Sequence, residues 1–257
     1  MPSFKPTRDY LLKLTEELIE NHGVSGRFLE IGCGDGAISI TLARRGWYGV
    51  AMDMSDESEQ FVRQQLKQEK LQEQVVFQKA DFFDYSTNEK FDVIFLYDVL
   101  EHVKEDILFL DKVRSSLEDG GHLFLSVPVK MKEWRWDDDN YGHIQRYEYN
   151  SLQNMLDTPS TGFKMLEQWD ITFPALWLMR RVYLFLVPAP ASLEHTPIET
   201  RTEKSAFTND GKKSLLIRIA ESLPIWWFAF WLQDRFRNRR FGCNTLILAR
   251  AIPAQKK

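Results

Sequence analysis

Residues 29–37, Leu-Glu-Ile-Gly-Cys-Gly-Asp-Gly-Ala, decide the fold of this chain. Three alternate glycines follow a short apolar segment and precede a predicted helix that begins at Ala37. Glycine has no Cβ atom, so such a segment can turn sharply and let a ligand approach its backbone closely. The stretch therefore predicts a strand, a ligand-binding turn and a helix, which together open an α/β sheet.

The alternation of strand and helix continues along the first half of the chain. The apolar pattern predicts strands at 27–31, 48–53, 75–79, 91–97 and 122–127 and helices at 9–22, 37–45, 57–72 and 107–117. A loop at 129–150, a helix at 150–157 and strands at 163–169 and 244–250 follow. Strands that alternate with helices form parallel sheets, and ligands bind such sheets at the carboxyl ends of the strands.

The composition is that of an ordinary globular chain of 257 residues, with 44% apolar residues, 27% charged residues and a net charge of −4. This balance argues against a surface that coats nucleic acid, so no nucleic-acid partner is expected. Cys33 and Cys243 are too few for a disulfide framework or a structural zinc site. Without a signal-like N-terminus or a run of about 20 apolar residues, the expected location is cytoplasmic, with membrane association left open.

The glycine stretch alone is compatible with two cofactors. Gly32, Gly34 and Ala37 fit a dinucleotide-binding fingerprint, and Asp53 lies 21 residues beyond Gly32, where a ribose-binding acid would be. An NAD(P)-dependent oxidoreductase is therefore one hypothesis. It gives no role to Asp81, which follows the third predicted strand, or to the polar cluster at 98–102.

Those two segments carry a family resemblance. With Ala80-Asp81-Phe82 and Tyr97-Asp98-Val99-Leu100-Glu101-His102-Val103 beside the glycine stretch, residues 25–170 resemble the class I S-adenosylmethionine-dependent methyltransferases with a Leu-Glu-His signature. The resemblance implies a Rossmann-like, seven-stranded, mostly parallel sheet with helices on both faces, and S-adenosyl-L-methionine as cofactor. The cofactor residues that it implies are Glu30, Gly32, Cys33, Gly34, Gly36, Asp53, Met54, Asp81, Phe82 and Tyr97.

The resemblance also implies individual roles at the cofactor. Asp53 would accept the ribose hydroxyls, and Asp81 would accept the adenine amino group. The backbone amide of Phe82 would reach a ring nitrogen, with the Phe82 ring nearby. Glu30 would order the glycine loop. Apart from the resemblance, Cys33 is expected to be a small loop residue rather than a nucleophile, because no base neighbours it in the sequence.

Two histidines are candidates for catalysis, because a hydroxyl acceptor needs a base. His102 closes the Leu-Glu-His signature, and His143 lies in a segment, 139–147, that resembles an element of many glycan, lipid and secondary-metabolite methyltransferases. Arg146 would hold an anion. The predicted acceptor-binding residues are Trp134, Trp136, Tyr141, Arg146 and Tyr147. In the alternative hypothesis, His143 and Tyr147 only brace the loop.

No metal is predicted, with one alternative. Asp98, Glu101 and His102 share a face if their segment is helical. The quinone-pathway O-methyltransferases, a related subgroup, have a comparable acid-x-x-Glu-His array associated with a divalent metal. Asp98 is shorter than the glutamate of that array, and Glu101 and His102 could instead cap a helix and form the floor of the pocket.

Residues 173–240 are predicted to be an aromatic-rich cap inserted before the last strand of a methyltransferase domain formed by 1–172 and 241–257. Of the eight tryptophans, only Trp47 precedes residue 134. The cap comprises an aromatic run at 173–191, a candidate mobile loop at 192–214 and a helix-like segment at 215–240. It could be a lid over a hydrophobic pocket, a membrane-surface contact through 173–191 and 225–240, or a dimer interface.

The sequence thus predicts an enzyme that transfers a methyl group from S-adenosylmethionine, at oxygen, to a small hydrophobic, glycan-linked or lipid-like acceptor. The alternatives are the oxidoreductase and a non-catalytic interaction module with a methyltransferase fold. The oligomeric state is left open.

Overall fold

Seven strands form one sheet in the computed structural model, which describes residues 5–158, 161–191, 196–205 and 225–253. The strands are β1 (Phe28–Ile31), β2 (Gly49–Asp53), β3 (Val75–Lys79), β4 (Phe91–Tyr97), β5 (Leu117–Pro128), β6 (Phe163–Asp170) and β7 (Asn244–Ala251). The described helices are α1 (Pro6–His22), α2 (Ala37–Arg44), α3 (Asp56–Glu69), α4 (Asp106–Ser115), α5 (Trp136–Tyr141), α6 (Tyr149–Leu156), α7 (Ala175–Leu186), α8 (Ile198–Ser205) and α9 (Ile225–Phe236). Short 3₁₀ turns occupy Leu100–His102 and Met131–Glu133.

The strand order is β3-β2-β1-β4-β5-β7-β6. All neighbours from β3 to β5 are parallel, and β7 runs antiparallel between β5 and β6. This confirms the predicted seven-stranded, mostly parallel sheet. The antiparallel β7 departs from the order 3-2-1-4-5-6 of the dinucleotide-binding sheet. The strand order reverses at β1 and β4, so the crevice for a ligand opens at their carboxyl ends.

Both faces of the sheet are covered, which explains the uninterrupted apolar sequence of β4. Phe95 packs with α1, α2 and α3 on one face, where Tyr10 and Leu14 are buried. Ile94 packs with α4 and α6 on the other face, beside Phe109. A strand buried on both sides has no need for alternating polar residues.

Four segment predictions need correction or fall partly outside the described residues. Strand β5 begins at Leu117, so the predicted helix 107–117 ends at Ser115. Glycine at position 121 allows β5 to pair closely with β4. A Cβ atom there would lie only 2.9 Å from the carbonyl oxygen of Asp92 on β4. The predicted loop 129–150 contains α5, and 198–205 of the candidate mobile loop forms α8. Residues 192–195, 206–214 and 215–224 of the cap predictions lie outside the described residues.

Both ends of the 173–240 insertion are fastened at the β6 end of the sheet. The Asp170 carboxylate accepts hydrogen bonds from the backbone N–H groups of Thr172 (2.9 Å), Phe173 (3.0 Å) and Gly242. The Thr172 hydroxyl accepts one from Cys243 N (2.8 Å). The insertion therefore leaves and re-enters the sheet at one point.

Helix α9 packs on α1. The Tyr10 hydroxyl donates to Asp234 at 3.0 Å, and the Tyr10 and Phe230 ring centroids are 5.0 Å apart. Arg237 forms two hydrogen bonds to Glu17, at 2.7 and 2.8 Å. Within the described ranges, every helix is too short or too polar to cross a membrane.

Candidate functional site

The glycine loop after β1 has a backbone that only glycine adopts readily. Gly32, Gly34 and Gly36 have φ angles of 70°, 51° and 66°. A Cβ atom on Gly32 would also clash with Cγ2 of Val99, in the segment after β4. The loops that follow β1 and β4 therefore touch, and the predicted cofactor loop lies directly beside the Leu-Glu-His segment.

Two buried carboxylates hold this loop. Asp53, at the end of β2, accepts hydrogen bonds from Gly34 N (2.8 Å) and Ser55 N (2.9 Å). Each of its oxygens keeps a second lone pair, so it can still accept ribose hydroxyls. Glu30 accepts from the backbone N–H of Ser39 at 3.0 Å and from the Ser39 hydroxyl, which ties β1 to α2. Burial raises the pKa of Glu30 to about 8.

The predicted adenine end lies around Asp81 and Phe82, after β3. Asp81 accepts a hydrogen bond from Phe83 N at 2.8 Å. The Phe82 ring is only 3% exposed and packs against Phe109, with ring centroids 5.2 Å apart. The ring therefore packs in the core, and its position near the adenine stays a prediction. Sequence reasoning missed Phe83, whose side chain is exposed next to Asp81. The predicted cofactor residue Met54 is also exposed, directly after β2.

Tyr97 and Cys33 both face inward. The Tyr97 hydroxyl lies 2.7 Å from the Thr15 hydroxyl on α1. Burial, together with the nearby carboxylates of Glu30 and Asp53, raises the pKa of the Cys33 thiol, so Cys33 stays protonated and is a poor nucleophile.

His102 and His143 come together although α4, β5, a 3₁₀ turn and α5 separate them in the chain. His102 ends the 3₁₀ turn after β4, and His143 follows Gly142, the residue that ends α5. Their ring centroids lie 5.1 Å apart in an edge-to-face arrangement. Nδ1 of His143 is 2.9 Å from Oδ1 of Asp138, and Nδ1 of His102 is 3.1 Å from the carbonyl oxygen of Gly142. These acceptors assign the proton to Nδ1 of each ring and leave Nε2 as the basic nitrogen.

Glu101 completes the cluster. It is 0% exposed, and neither carboxylate oxygen has a hydrogen-bond partner among the described residues. Its Oε1 lies 3.8 Å from Nε2 of His143. Burial and the charge of Asp98 raise the pKa of Glu101, while burial and the neighbouring His143 lower the pKa of His102 to about 4. Glu101, His102 and His143 each offer one ligand atom within 4.8 Å of the others.

This donor set fits a divalent cation, but it differs from the predicted array of Asp98, Glu101 and His102. Asp98 accepts hydrogen bonds from the Ser126 hydroxyl (2.9 Å) and from Nδ2 of Asn244 (3.0 Å), with φ at 52°. The side chain is held toward β5 and β7, and His143 takes its place beside the other two. Sequence reasoning missed Ser126 and Asn244, because only the sheet order brings β7 beside β5.

Arg146 and Tyr147 are predicted acceptor-binding residues whose side chains are buried and bonded to the protein itself. Arg146 is buried and donates to Asp138 Oδ1 (2.7 Å) and to the carbonyl oxygens of Val129 and Cys243 (3.0 Å each). The buried Tyr147 hydroxyl lies 3.2 Å from the Leu100 carbonyl oxygen. Both side chains brace the loop, and the anion-holding role of Arg146 stays a prediction.

The aromatic candidates lie nearer the surface of the same loop. The Tyr141 ring centroid is 5.8 Å from that of His143, and the side chain is 38% exposed. The Trp136 ring centroid is 5.8 Å from that of Tyr183 on α7. Trp134 donates its Nε1–H to Asp139 at 3.2 Å.

Asp138 is the hub that the sequence did not single out. Its buried carboxylate contacts His143 and Arg146 and accepts hydrogen bonds from Arg135 N (2.9 Å) and from Nη2 of Arg180 (3.2 Å). Arg180 also forms two 2.7 Å hydrogen bonds with Asp137. The hub therefore connects α7 of the insertion with the histidine cluster.

Two further contacts join the insertion to this region. Arg181 donates to both carboxylate oxygens of Glu133, at 2.8 and 2.7 Å. The Thr202 hydroxyl on α8 lies 3.4 Å from Nδ1 of His102. The sequence signal for the contact between α7 and this loop is the set of acidic residues at 133–139 together with the adjacent arginines Arg180 and Arg181.

Comparisons with known proteins place the chain in a wider group. A family model described as a methyltransferase domain matches residues 5–168. A protein of Aeromonas salmonicida (strain A449), named ubiquinone biosynthesis O-methyltransferase, is 30% identical over 101 residues, which are 39% of this chain and 42% of that protein. A protein of the same name from Pasteurella multocida (strain Pm70) is 29% identical over 143 residues, 51% of this chain and 59% of that protein. The chain thus spans about half the length of the curated relatives it matches.

Solved structures share the fold over nearly the whole chain. A putative sarcosine dimethylglycine methyltransferase from Galdieria sulphuraria is 12% identical with a TM-score of 0.61, over 94% of this chain and 85% of that one. The [4+2]-cyclase SpnF is 18% identical with a TM-score of 0.60, over 94% of this chain and 81% of that one. At these identities the likeness shows the fold alone. A cyclase among the neighbours illustrates that the fold does not choose the reaction.

Proposed function

The chain belongs to the class I S-adenosylmethionine-dependent methyltransferases, and from this membership we propose that it methylates a hydroxyl oxygen of a small hydrophobic, glycan-linked or lipid-like acceptor. One observation carries the choice of oxygen. His143 is fixed through Nδ1 by Asp138, so its Nε2 is a basic nitrogen held in a defined direction. An alcohol or phenol must lose a proton during methyl transfer, and such a nitrogen can accept it.

The relatives support the same choice, since both are named O-methyltransferases of ubiquinone biosynthesis. A hydroxyl-bearing precursor in ubiquinone biosynthesis is therefore the first acceptor class to test. The chain covers about half of those proteins, so their acceptor is a hypothesis for this chain.

We assign the cofactor to the carboxyl ends of β1, β2 and β3. The glycine loop would bind the methionine end with its backbone, Asp53 the ribose and Asp81 the adenine amino group. Because Gly32 touches Val99, the reactive end of the cofactor would face the segment that carries Glu101 and His102. The acceptor hydroxyl would then lie between the cofactor and the two histidines, where positioning supplies much of the rate.

In this arrangement S-adenosylmethionine would supply the methyl group, lose its methyl–sulfur bond and leave as S-adenosylhomocysteine, and Nε2 of His143 would accept the hydroxyl proton. The imidazolium that forms is stabilised by Asp138, in the way an aspartate supports a catalytic histidine elsewhere. His102 has its own Nδ1 fixed by Gly142 and orients the acceptor from the other side. Tyr141 and Trp136 would form the outer wall.

The test is formation of S-adenosylhomocysteine by the purified chain with a panel of acceptors: a prenylated catechol, a short-chain phenol, a sugar alcohol and a primary amine. We expect turnover with hydroxyl acceptors. His143→Ala should lower kcat by about 10²–10⁴-fold at saturating S-adenosylmethionine. His122→Ala is the matched control, because His122 lies in β5 away from the carboxyl ends of the strands.

Four results would count against this assignment. Unchanged kcat in His143→Ala removes His143 from catalysis, and turnover of the amine alone excludes oxygen as the target. Failure to bind S-adenosylhomocysteine in calorimetry favours the non-catalytic module. Thermal stabilisation by NAD instead would revive the oxidoreductase hypothesis.

We also propose that 173–240 is a cap over the acceptor site, joined to a methyltransferase domain of 1–172 and 241–257. Its support is the pair of contacts that reach the histidine cluster, from Arg180 to Asp138 and from Thr202 to His102. A lid above a hydrophobic acceptor would need such contacts at its inner side.

The outer side of this cap is our candidate membrane contact. Large apolar side chains of α7 and α9 are exposed: Leu178 57%, Val182 48%, Phe185 89%, Leu186 68%, Trp227 77% and Phe228 54%. Exposed arginines, Arg235 and Arg239, lie at the end of α9 and beyond it. Aromatic and aliphatic side chains beside arginines are typical of a surface that lies on anionic lipid.

Flotation with vesicles tests this contact. The chain should float with vesicles that contain phosphatidylglycerol, less with phosphatidylcholine alone, and the double variant Phe185→Ser/Trp227→Ser should stay at the bottom. Val76→Ser is the control, since Val76 is 58% exposed on β3. Absence of flotation with anionic lipid overturns the contact, and a concentration-dependent dimer that the double variant abolishes would favour the dimer interface.

A further inference from the structure

We propose that Lys130, Arg240 and the hydroxyl of Tyr149 bind a phosphate group, and that this phosphate belongs to the acceptor. The three residues come from separate elements. Lys130 follows β5, Tyr149 begins α6, and Arg240 lies shortly before β7. The antiparallel pairing of β5 with β7 sets Pro128 opposite Asn244, so the end of one strand and the start of the other bring the two cationic residues together.

Both cationic side chains lie over the ring of Tyr149. Nζ of Lys130 is 5.9 Å from the ring centroid, and Cζ of Arg240 is 5.4 Å from it. Each distance is within the range of a cation–π interaction, so one ring gathers two positive charges. Like charges repel each other, and an anion that binds both would replace this repulsion with attraction.

Neither cation is neutralised by an ion pair. Among the residues that the structure describes, no carboxylate oxygen lies within 4.0 Å of the charged nitrogens of Lys130 or Arg240. Arg240 donates to the side-chain oxygen of Asn150, a neutral group, at 3.3 Å. Burial lowers the pKa of Lys130, which shows that its charge is incompletely compensated. An anionic ligand would compensate both charges.

Asp170 is the acidic group that acts on this place, and its oxygens are already occupied. Its charge influences both the Lys130 ammonium and the Tyr149 hydroxyl, so these two groups lie near one common point. The Asp170 carboxylate itself accepts hydrogen bonds from the backbone N–H groups of three residues, Thr172, Phe173 and Gly242. Two cations against one carboxylate leave an excess of positive charge.

The Tyr149 hydroxyl is a buried donor that needs an acceptor. The side chain is 7% exposed, and in the described part of the chain its hydroxyl oxygen has no hydrogen-bond partner. A buried polar group in this state is destabilising. A phosphate oxygen is a suitable acceptor, and one phosphate has enough oxygens for the hydroxyl, the ammonium and the guanidinium together.

The backbone is strained at both cationic residues. Lys130 has a φ of 65° and a ψ of 107°, and Arg240 has a φ of 56°. Residues other than glycine rarely adopt a positive φ, and such conformations concentrate at ligand-binding sites. Two strained positions, distant in sequence, thus direct their charges to the same ring.

The phosphate site adjoins the loop that carries His143. The backbone N–H of Lys130 donates to the carbonyl oxygen of Tyr147 at 2.7 Å. Tyr147 follows His143 closely in the chain, and four extended residues span at most about 14 Å. A lipid-like or glycan-linked acceptor could therefore place its phosphate here and its hydroxyl near His143. Binding of the phosphate does not rest on the proposed function, but its assignment to the acceptor does.

Calorimetry of the full-length chain at low ionic strength is the test, with octyl phosphate, octanol and inorganic phosphate as probes. Octyl phosphate should bind at least about tenfold more tightly than octanol. In the double variant Lys130→Gln/Arg240→Gln, octyl phosphate and inorganic phosphate should each bind at least about tenfold more weakly, and octanol should bind as before. Tyr149→Phe keeps the ring and should weaken octyl phosphate by about three- to tenfold.

Lys132→Gln/Lys164→Gln is the matched control, because it removes the same charge at two exposed positions. It should change the affinity for octyl phosphate by less than about threefold. Far-UV circular dichroism checks the fold of each variant.

Three outcomes overturn the proposal. Octyl phosphate may bind no better than octanol, or the two double variants may weaken it equally. In the third, Lys130→Gln/Arg240→Gln keeps its affinity for octyl phosphate and loses only flotation with phosphatidylglycerol vesicles, which would assign the cations to a lipid headgroup at the membrane. Phosphate binding as expected, without methyl transfer to any acceptor, would leave the phosphate site standing and reject the proposed reaction instead.

Discussion

Replacing Asp138 with asparagine should destabilise the loop that carries His143 and lower the free energy of unfolding of the chain. The buried carboxylate holds four donors: Arg135 N, His143 Nδ1, Arg146 Nε and Arg180 Nη2. Asparagine keeps one oxygen but loses the charge and points an N–H₂ group at some of these donors. Breaking one side of a buried ion pair typically costs about 3–5 kcal/mol.

The lower end of that range applies here. Arg180 keeps both hydrogen bonds to Asp137, and Arg146 keeps the carbonyl oxygens of Val129 and Cys243. We therefore expect the free energy of unfolding to fall by about 3 kcal/mol, which for a chain of this size lowers Tm by about 6–12 °C.

Urea denaturation followed by circular dichroism measures this loss. Asp119→Asn is the matched control: Asp119 also pairs with an arginine, Arg114, but its side chain is 58% exposed, so at most about 1 kcal/mol should be lost. Nitrogen NMR of His143 should show the proton leaving Nδ1 for part of the population in Asp138→Asn only. A loss no larger than that of the control, with the His143 tautomer unchanged, would refute the role of Asp138 as a hub.

Two further predictions concern the cofactor loop. In Gly32→Ala the alanine must adopt a φ of 70°, and its Cβ atom clashes with Val99. Gly46→Ala is the control: it has only the strain of a φ of 82°, because no atom lies within 4 Å of a Cβ there. S-adenosylhomocysteine should bind at least about tenfold more weakly to Gly32→Ala alone; equal calorimetric affinities would contradict the loop contact. Burial raises the pKa of Glu30 from 4.5 to about 8. Between pH 5 and 8 the folded state therefore holds a proton that the unfolded state has lost. The free energy of unfolding should fall by up to about 1.4 kcal/mol per pH unit over this range. In Glu30→Gln this slope should be reduced in urea titrations without cofactor, and an unchanged slope would assign it to other groups.

The sheet was predictable because its signals are local. Glycines with positive φ after β1 and continuous apolar residues in β4 follow from the backbone turn and from burial on both faces. The antiparallel position of β7 between β5 and β6 has no such local signal, so only the family resemblance could supply it.

The residue types of the candidate site were predictable from the sequence, but the directions of their side chains were not. The spacing of 139–147 identified His143, Arg146 and Tyr147 as polar residues of one loop, yet it could not tell which side chains face a ligand. Arg146 turned inward because three buried oxygens lie there, those of Asp138, Val129 and Cys243. These acceptors are distant in sequence, and only the completed fold brings them together.

The insertion acquires its orientation from charge rather than from burial. If burial alone positioned α7, its large apolar side chains would turn inward, yet Phe185 is 89% and Leu186 68% exposed. Arg180 and Arg181 instead face the acidic loop, where Asp137, Asp138 and Glu133 receive them. The Arg180 side chain is 17% exposed and requires its partners, because an arginine left there alone would be destabilising, whereas Arg181 is 37% exposed and its pair contributes less. Arg180 thus fixes which side of α7 meets the histidine loop, and the exposed side chains of Phe185 and Leu186 lie away from Arg180 on the helix.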